Sequence, residues 1–181
     1  MEQFPMIGNL PNILTLTRIL LLPFFAASLI YGEHRLSLLL FIAASVTDLL
    51  DGFIARIRKQ TTYFGSILDP VADKFFLITS FVLMSIYGSL PVWLAIIVIS
   101  KDIIVVTGCI IIYLVTHNLK IEPSIWGKAA STCQFALIGF ILLLNNINSE
   151  TQIDTIYFLL TAAITAVAGV HYVYKGLKQN T

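Results

Sequence analysis

Charged residues are scarce in this sequence of 181 residues, where aspartate, glutamate, lysine and arginine together make up 12%. Soluble globular domains contain about a quarter charged residues. Hydrophobic residues reach 57%, and the mean hydropathy is +0.89. This composition excludes an ordinary soluble domain and predicts an integral membrane protein. The net charge of +1 offers no general attraction to nucleic acid, so we expect no nucleic-acid partner.

Cysteine is also rare, with two residues, Cys109 and Cys133, both inside apolar runs. The sequence has no CxxC pair and no cluster of cysteine with histidine. These observations favour two small core side chains and argue against a disulfide framework or a zinc site.

The N-terminal stretch lacks a basic region followed by an A-x-A cleavage site, so it does not resemble a removable signal peptide. Phe4, Met6, Ile7 and Leu10 are instead predicted to lie at the membrane surface, as a short interfacial segment that leads into the first helix at Pro11.

Six apolar segments are long enough to cross a bilayer, which requires about 20 residues as a helix. Polar, turn-rich sequences separate them near residues 31, 87, 117 and 145. We therefore predict an all-α integral membrane protein, with six transmembrane helices in one bundle and a single domain over residues 1–181. The predicted spans are residues 13–31, 36–56, 70–87, 91–116, 125–144 and 153–174.

Lysine and arginine are concentrated on one side of this predicted bundle, whereas the opposite loops carry only Arg35. Positive residues mark the cytoplasmic side of membrane proteins. Both termini and the loop after the second span are therefore predicted to face the cytoplasm, as in a multi-pass protein of the inner (cytoplasmic) membrane. The basic residues on that side are Arg56, Arg58, Lys59, Lys120, Lys128, Lys175 and Lys178.

Four aspartates follow the pattern D-x2-D-G-x2-A-R-x8-G-x3-D-x3-D between residues 48 and 73. Asp48 and Asp51 are three residues apart at the end of the second span, and Asp69 and Asp73 are four apart at the start of the third. These spacings predict one helical face for each pair. A reversal of the chain between the two helices brings all four carboxylates together. An aspartate at the centre of a membrane helix costs about 2.5–3.5 kcal/mol, so the group needs a compensating charge.

Divalent cations provide that charge, and carboxylate oxygens suit Mg²⁺ or Mn²⁺ better than they suit zinc. Four carboxylates neutralise two such ions and leave coordination positions for a phosphate or diphosphate ligand. Gly52 and Gly65 leave room for that ligand, and the planar guanidinium of Arg56 suits a phosphate oxygen. The alternatives are solvated helix ends with paired charges for the aspartates and ordinary helix packing for the glycines. A cation or proton transporter is another alternative, because buried acids also mark ion pathways.

The same pattern resembles, position for position, the signature of the CDP-alcohol phosphotransferase family of membrane enzymes. Two further stretches, "LPNILTLTRILLLPFF" and "PSIWGKAASTCQ", are similar to its phosphatidylglycerophosphate synthase and cardiolipin synthase branches. The resemblance covers nearly the full chain. It implies transfer of a phosphatidyl group from CDP-diacylglycerol to an alcohol, with CMP as the leaving group, and it implies a homodimer.

The resemblance also implies a role for each residue of the motif. Asp48, Asp51, Asp69 and Asp73 match metal ligands, and Asp73 also matches the catalytic general base. The positions that match the CDP-binding site are Thr47, Asp48, Gly52, Arg56, Gly65 and Asp69.

The acceptor alcohol is predicted to be glycerol 3-phosphate, with phosphatidylglycerol, and hence cardiolipin synthesis, as the alternative. Lys101, Lys128 and Arg18 are the candidate residues for binding the acceptor. For Lys101, an internal charge pair with Asp102 is an equal alternative. For Arg18, the alternatives are extension to the membrane interface or a pair with Asp102. Related glycerol-phosphate enzymes tend to have Arg-Glu at positions 101 and 102, and a second basic residue where this chain has Ala130 or Ser131. These departures favour the cardiolipin alternative.

Overall fold

A computed structural model of the protein describes the backbone of residues 10–58, 63–116, 125–147 and 153–178. It describes the side chains of residues 15–48, 70–108, 111, 114, 125–147 and 153–174. These residues form six α-helices and no strand, so the prediction of an all-α protein is confirmed. The helices are α1 (Leu10–Ile30), α2 (His34–Arg58), α3 (Tyr63–Ile86), α4 (Val92–Thr116), α5 (Ile125–Ile147) and α6 (Thr155–Lys178). The predicted interfacial segment before Leu10 lies outside the described residues.

The third helix begins earlier than the predicted third span. We expected the span to start at residue 70, whereas α3 begins at Tyr63 and contains Pro70 in its interior. Asp69 and Asp73 were expected on one helical face, so a helix that includes residues before 70 agrees with the motif. The start of the membrane span at residue 70 stays a prediction, because a span can begin inside a longer helix.

Two glycines end helices in the way that the turn-rich sequences predict. Gly32 has a φ of 70°, and its N–H bonds to the carbonyl of Leu29, while the N–H of Glu33 bonds to the carbonyl of Ser28. This pair of hydrogen bonds is a Schellman motif, which favours glycine because other residues are strained at positive φ. Gly88, with a φ of 77°, follows α3, and its N–H bonds to the carbonyl of Ser85.

The chain divides into two compact units. The first comprises Met1–Met84 with Leu142–Glu150, and so contains α1, α2 and most of α3. Its core holds three phenylalanines, one from each of these helices. The rings of Phe25 and Phe76 stack with centroids 4.7 Å apart, and Phe41 lies 6.5 Å from Phe25 and 6.0 Å from Phe76. Their burial, between 0% and 7% exposed, fixes the three helices against one another.

Helices α1 and α2 run antiparallel. Near the connecting turn, the hydroxyls of Ser28 and Ser37 lie 2.9 Å apart, and Phe25 meets Phe41 further along. Further from the turn, Arg18 contacts Asp48. The first half of α1 therefore meets the second half of α2, where the first aspartate of the motif lies.

The second unit comprises Ser85–Ile141 with Thr151–Thr181, and α4 packs against α6 within it. Gly169 of α6 leaves space for the aliphatic stem of Lys101, whose Cγ would lie 3.3 Å from a Cβ at that position. Gln134 of α5 donates a hydrogen bond to Thr165 of α6. Cys133 is a free thiol 3.6 Å from the hydroxyl of Thr161, as expected for a small packing residue. The side chain of Cys109 lies outside the described residues.

The surface of the helices is apolar to an extent that soluble proteins avoid. Two helical stretches in the described part of the chain, Ile125–Ile147 and Thr155–Tyr174, are long and apolar enough to cross a membrane. Large apolar side chains are also exposed on all six helices, and they include Leu20, Phe24, Leu39, Ile42, Phe75, Ile96, Ile103, Leu143, Leu159 and Val170. These features characterise a membrane protein.

Candidate active site

One arginine joins the first and the last aspartates of the motif. Nη2 of Arg18 lies 2.9 Å from Oδ1 of Asp48, and Nη1 donates a hydrogen bond of 2.5 Å to Oδ1 of Asp73. The three residues come from α1, α2 and α3, and all belong to the first compact unit. The two carboxylates, 25 residues apart in sequence, are thus brought to the same guanidinium.

The other two aspartates lie on the same helices. Asp51 follows Asp48 by three residues in α2, and Asp69 precedes Asp73 by four in α3. Their side chains lie outside the described set, and among the described side chains no three possible metal ligands cluster. The predicted meeting of all four carboxylates therefore stays a prediction, while the meeting of Asp48 and Asp73 is observed.

The donor set around Arg18 fits hard divalent cations. Asp48 and Asp73 present carboxylate oxygens, and their side chains are 44% and 32% exposed, so an ion can reach them. Carboxylate oxygen is the ligand type that Mg²⁺ and Mn²⁺ prefer. A divalent-cation site needs several oxygen ligands close together, and here two acidic side chains from separate helices converge.

The predicted CDP-binding residues are only partly described. The hydroxyl of Thr47 lies 2.8 Å from the backbone carbonyls of Ala43 and Ala44, so its hydrogen is engaged within α2 and the oxygen keeps only its acceptor capacity. Gly52 and Arg56 lie on helical backbone near the end of α2, and Gly65 near the start of α3. The side chain of Arg56 lies outside the described residues, so its predicted contact with phosphate stays a prediction.

The two candidate lysines differ in environment. Nζ of Lys101 lies 2.8 Å from Oδ1 of Asp102, and both side chains are buried. The internal charge pair that the sequence analysis gave as an alternative for Lys101 is therefore present. Lys128 is exposed at the start of α5. Beside it, Gly127 lies so close to Tyr172 of α6 that a Cβ would come within 2.6 Å of the tyrosine oxygen.

The partners of Arg18 were not predicted from the sequence, which suggested the interface or Asp102. One feature of the sequence indicated that Arg18 has a carboxylate partner: it is a single arginine within an apolar helix, and a buried guanidinium requires such a partner. Asp48 and Asp73 lie 30 and 55 residues further along the chain, so only the packing of three helices identifies them.

The described residues thus define an α-helical membrane protein in which α2 and α3 bring two carboxylates to one guanidinium, in a site that suits cations. The profile of the CDP-alcohol phosphatidyltransferase family matches residues 8–170. The chain belongs to this family, and the predictions of the family and of its enzymatic class are confirmed.

Individual relatives point to two branches. The chain is 37% identical over 167 residues to "CDP-diacylglycerol--glycerol-3-phosphate 3-phosphatidyltransferase" of Haemophilus influenzae, covering 88% of each chain. It is 29% identical over 180 residues to "Probable phosphatidylglycerophosphate synthase" of Mycobacterium tuberculosis, covering 95% of this chain and 83% of the relative. It is 31% identical over 203 aligned residues to "Probable cardiolipin synthase (CMP-forming)" of Drosophila melanogaster, covering 99% of this chain and 63% of the relative.

Proposed function

We propose that this protein transfers the phosphatidyl group of CDP-diacylglycerol to glycerol 3-phosphate, giving phosphatidylglycerophosphate and CMP. The observation that carries the proposal is the convergence of Asp48 and Asp73 on Arg18, in a chain whose family profile match spans the whole acidic motif. The relative from Haemophilus influenzae, similar over most of both chains, supports the choice of this reaction.

The four aspartates, Asp48, Asp51, Asp69 and Asp73, are proposed to hold two divalent cations, Mg²⁺ or Mn²⁺. When bound, these ions supply positive charge beside the diphosphate of the donor and the departing CMP. The exposed carboxylates of Asp48 and Asp73 support this assignment. Thr47, Gly52, Arg56 and Gly65, together with Asp48 and Asp69, are proposed to bind the CDP portion.

Asp73 is proposed as the general base. It accepts the proton of the acceptor hydroxyl while that oxygen forms a bond to the phosphorus carrying the diacylglycerol. The bond from this phosphorus to the oxygen shared with CMP breaks, and CMP leaves with the electron pair. This direct displacement needs no covalent nucleophile from the protein.

Lys101 and Lys128 are proposed to bind the phosphate of the acceptor. Lysine binds phosphate as a point charge, and Nζ of Lys101 also pairs with Oδ1 of Asp102. Arg18 was predicted with these lysines, but its ion pairs favour another role, argued below. Phosphatidylglycerol is the second candidate acceptor, which would make the product cardiolipin. The engagement of Lys101 by Asp102 and the relative from Drosophila melanogaster favour that candidate.

The membrane arrangement is part of the proposal. We infer six membrane spans, one for each helix, in a single domain over residues 1–181 that assembles as a homodimer. Both termini and the acidic motif are proposed to face the cytoplasm, because the lysines and arginines lie mainly on that side of a six-span chain. The apolar side chains exposed on every helix support contact with lipid.

The test is release of CMP from CDP-diacylglycerol by the purified protein in detergent micelles. We expect release that requires Mg²⁺ or Mn²⁺ and stops on chelation. Asp69→Asn should lower the rate at least about a hundredfold, because the site loses a carboxylate that the transition state requires. Asp154→Asn, which alters an exposed aspartate before α6, is the control and should leave the rate unchanged.

Two outcomes would reject the enzymatic proposal. One is CMP release that Asp69→Asn leaves intact. The other is cation or proton flux through vesicles without CMP release, which would identify a transporter. Supplying glycerol 3-phosphate or phosphatidylglycerol as the single acceptor, and identifying the lipid product, decides between the two candidate reactions.

A further inference from the structure

Arg18 has a position in the first unit that neither the acidic motif nor the acceptor prediction explains. The residue is 2% exposed, yet its two terminal nitrogens reach carboxylates on two different helices. A guanidinium commonly pairs with a single carboxylate through two parallel hydrogen bonds. Here Nη2 lies beside Asp48 and Nη1 donates to Asp73, so the arginine bridges α2 and α3.

The bridge offsets two unfavourable charges at once. A guanidinium buried in an apolar environment is costly unless paired, and two carboxylates brought together repel each other. Placing Arg18 between Asp48 and Asp73 reduces both penalties. It also restrains the separation of the two oxygens that accept its hydrogen bonds, because the planar guanidinium is rigid.

Exposure shows on which side the arginine lies. The Arg18 side chain is 3% exposed, whereas those of Asp48 and Asp73 are 44% and 32% exposed. The guanidinium is thus the most deeply buried of the three groups, while each carboxylate keeps surface that a cation can reach.

We propose that Arg18 is a positioning residue for divalent-cation binding, which holds Asp48 and Asp73 at a fixed separation from behind. This inference rests on the proposed function, since it assigns to these aspartates the cations described there. It assigns no contact between Arg18 and either substrate. Groups that orient metal ligands in this manner change metal affinity about 10–100-fold when they are removed.

Two other roles for the same arginine predict a different effect of its removal on cation binding. If the guanidinium instead occupied the place of a cation, its removal would tighten cation binding, because a competing positive charge would be gone. If Arg18 bound the acceptor phosphate, its removal would raise the KM for the acceptor and leave cation binding unchanged.

The experiment measures binding of Mn²⁺ alone to the purified protein in detergent, from the electron paramagnetic resonance signal of free Mn²⁺. Arg18→Gln should weaken binding about 10–100-fold. Arg18→Lys, which keeps the charge but not the forked geometry, should weaken it less. Arg35→Gln is the matched control, because Arg35 is an exposed arginine at the start of α2. Circular dichroism and size-exclusion chromatography verify that each variant is folded.

Activity gives a second signature. In Arg18→Gln, the Mn²⁺ concentration for half-maximal activity should rise by the same factor, with recovery of most of the rate at saturating Mn²⁺ and an unchanged KM for glycerol 3-phosphate. If Arg18→Gln does not fold, the Mn²⁺ affinity of Arg18→Lys is compared with that of the unaltered protein. Mn²⁺ affinity equal to or tighter than that of the unaltered protein in the folded variants overturns the inference. An unaltered protein that binds no Mn²⁺ overturns it as well.

Failure of this inference can be separated from failure of the proposed function. Unaltered protein that binds Mn²⁺ but releases no CMP from CDP-diacylglycerol rejects the reaction and leaves the positioning role standing. Protein that releases CMP and whose Mn²⁺ affinity is indifferent to Arg18→Gln and Arg18→Lys rejects the positioning role and leaves the reaction standing.

Discussion

The side-chain amide of Gln134 on α5 donates a hydrogen bond of 3.0 Å to the hydroxyl oxygen of Thr165 on α6, and both residues are fully buried. The amide oxygen of Gln134 has no hydrogen-bond partner within the part of the chain that the structure describes. Hydrogen bonds between membrane helices contribute about 0.6 kcal/mol on average, and up to about 2 kcal/mol. This pair therefore joins the two helices by a specific contact of modest energy.

Thr165→Val should lower the free energy of unfolding by about 1–3 kcal/mol, since it leaves the whole Gln134 amide buried without its partner. The double variant Gln134→Met with Thr165→Val should recover most of that loss, because it removes both polar groups and keeps a side chain of similar length. Unfolding in detergent, followed by circular dichroism, measures both values. A double variant no more stable than Thr165→Val would contradict the prediction.

Phe76 and Phe75 offer a matched comparison between neighbouring phenylalanines. Phe76 stacks on Phe25 and is 1% exposed, whereas Phe75 is 60% exposed. Phe76→Ala should destabilise the first unit by about 3–5 kcal/mol because it opens a cavity between three helices. Phe75→Ala should cost less than about 1 kcal/mol, because its side chain faces outward. A loss of less than about 1 kcal/mol for Phe76→Ala would show that the three-phenylalanine core does not stabilise this unit.

The buried pair of Lys101 and Asp102 makes a prediction about both stability and substrate. Lys101→Met deprives a buried carboxylate of its ammonium partner and should lower the unfolding free energy by about 3–5 kcal/mol. Adding Asp102→Asn should restore much of this loss. If Lys101 binds the acceptor as proposed, the stable double variant should still show a KM for glycerol 3-phosphate raised at least about tenfold. An unchanged KM would restrict Lys101 to a structural role.

Replacement by alanine is predicted to lower the stability of the protein at Gly127 and not at Gly108. A Cβ at Gly127 would overlap the ring of Tyr172, with contacts between 2.6 and 3.0 Å, whereas one at Gly108 has nothing within 4 Å. Gly127→Ala should cost about 1–3 kcal/mol and shift the start of α5, where Lys128 lies. Gly108→Ala should be neutral or stabilising by up to about 1 kcal/mol, because alanine favours a helix. Recovery of stability in Gly127→Ala with Tyr172→Ala would confirm the steric cause.

Local features of the sequence predicted the helices well. Apolar length and the turns at Gly32 and Gly88 located the helices, because a glycine at positive φ ends a helix through backbone hydrogen bonds that depend on neighbouring residues only. The predicted third span begins at residue 70, whereas α3 begins seven residues earlier and continues through Asp69 and Pro70.

Contacts between helices could not be predicted in the same way. The spacing of the motif indicated that Asp48 and Asp73 approach each other, since two helices joined by a short reversal bring their facing ends together. It did not indicate Arg18, whose partners depend on how α1 packs against both of the other helices. The bond between Gln134 and Thr165 joins residues 31 apart and likewise follows from packing.

The order of residues in the Arg18 bridge also constrains biosynthesis. Ribosomes add about 5–20 residues per second, so Arg18 is made roughly 3–11 seconds before Asp73, which lies 55 residues later. On the proposed topology, the first helix reaches the insertion machinery with a guanidinium that has neither of its carboxylates. It is therefore a poor candidate for independent release into lipid, and α1, α2 and α3 are expected to leave the translocon together.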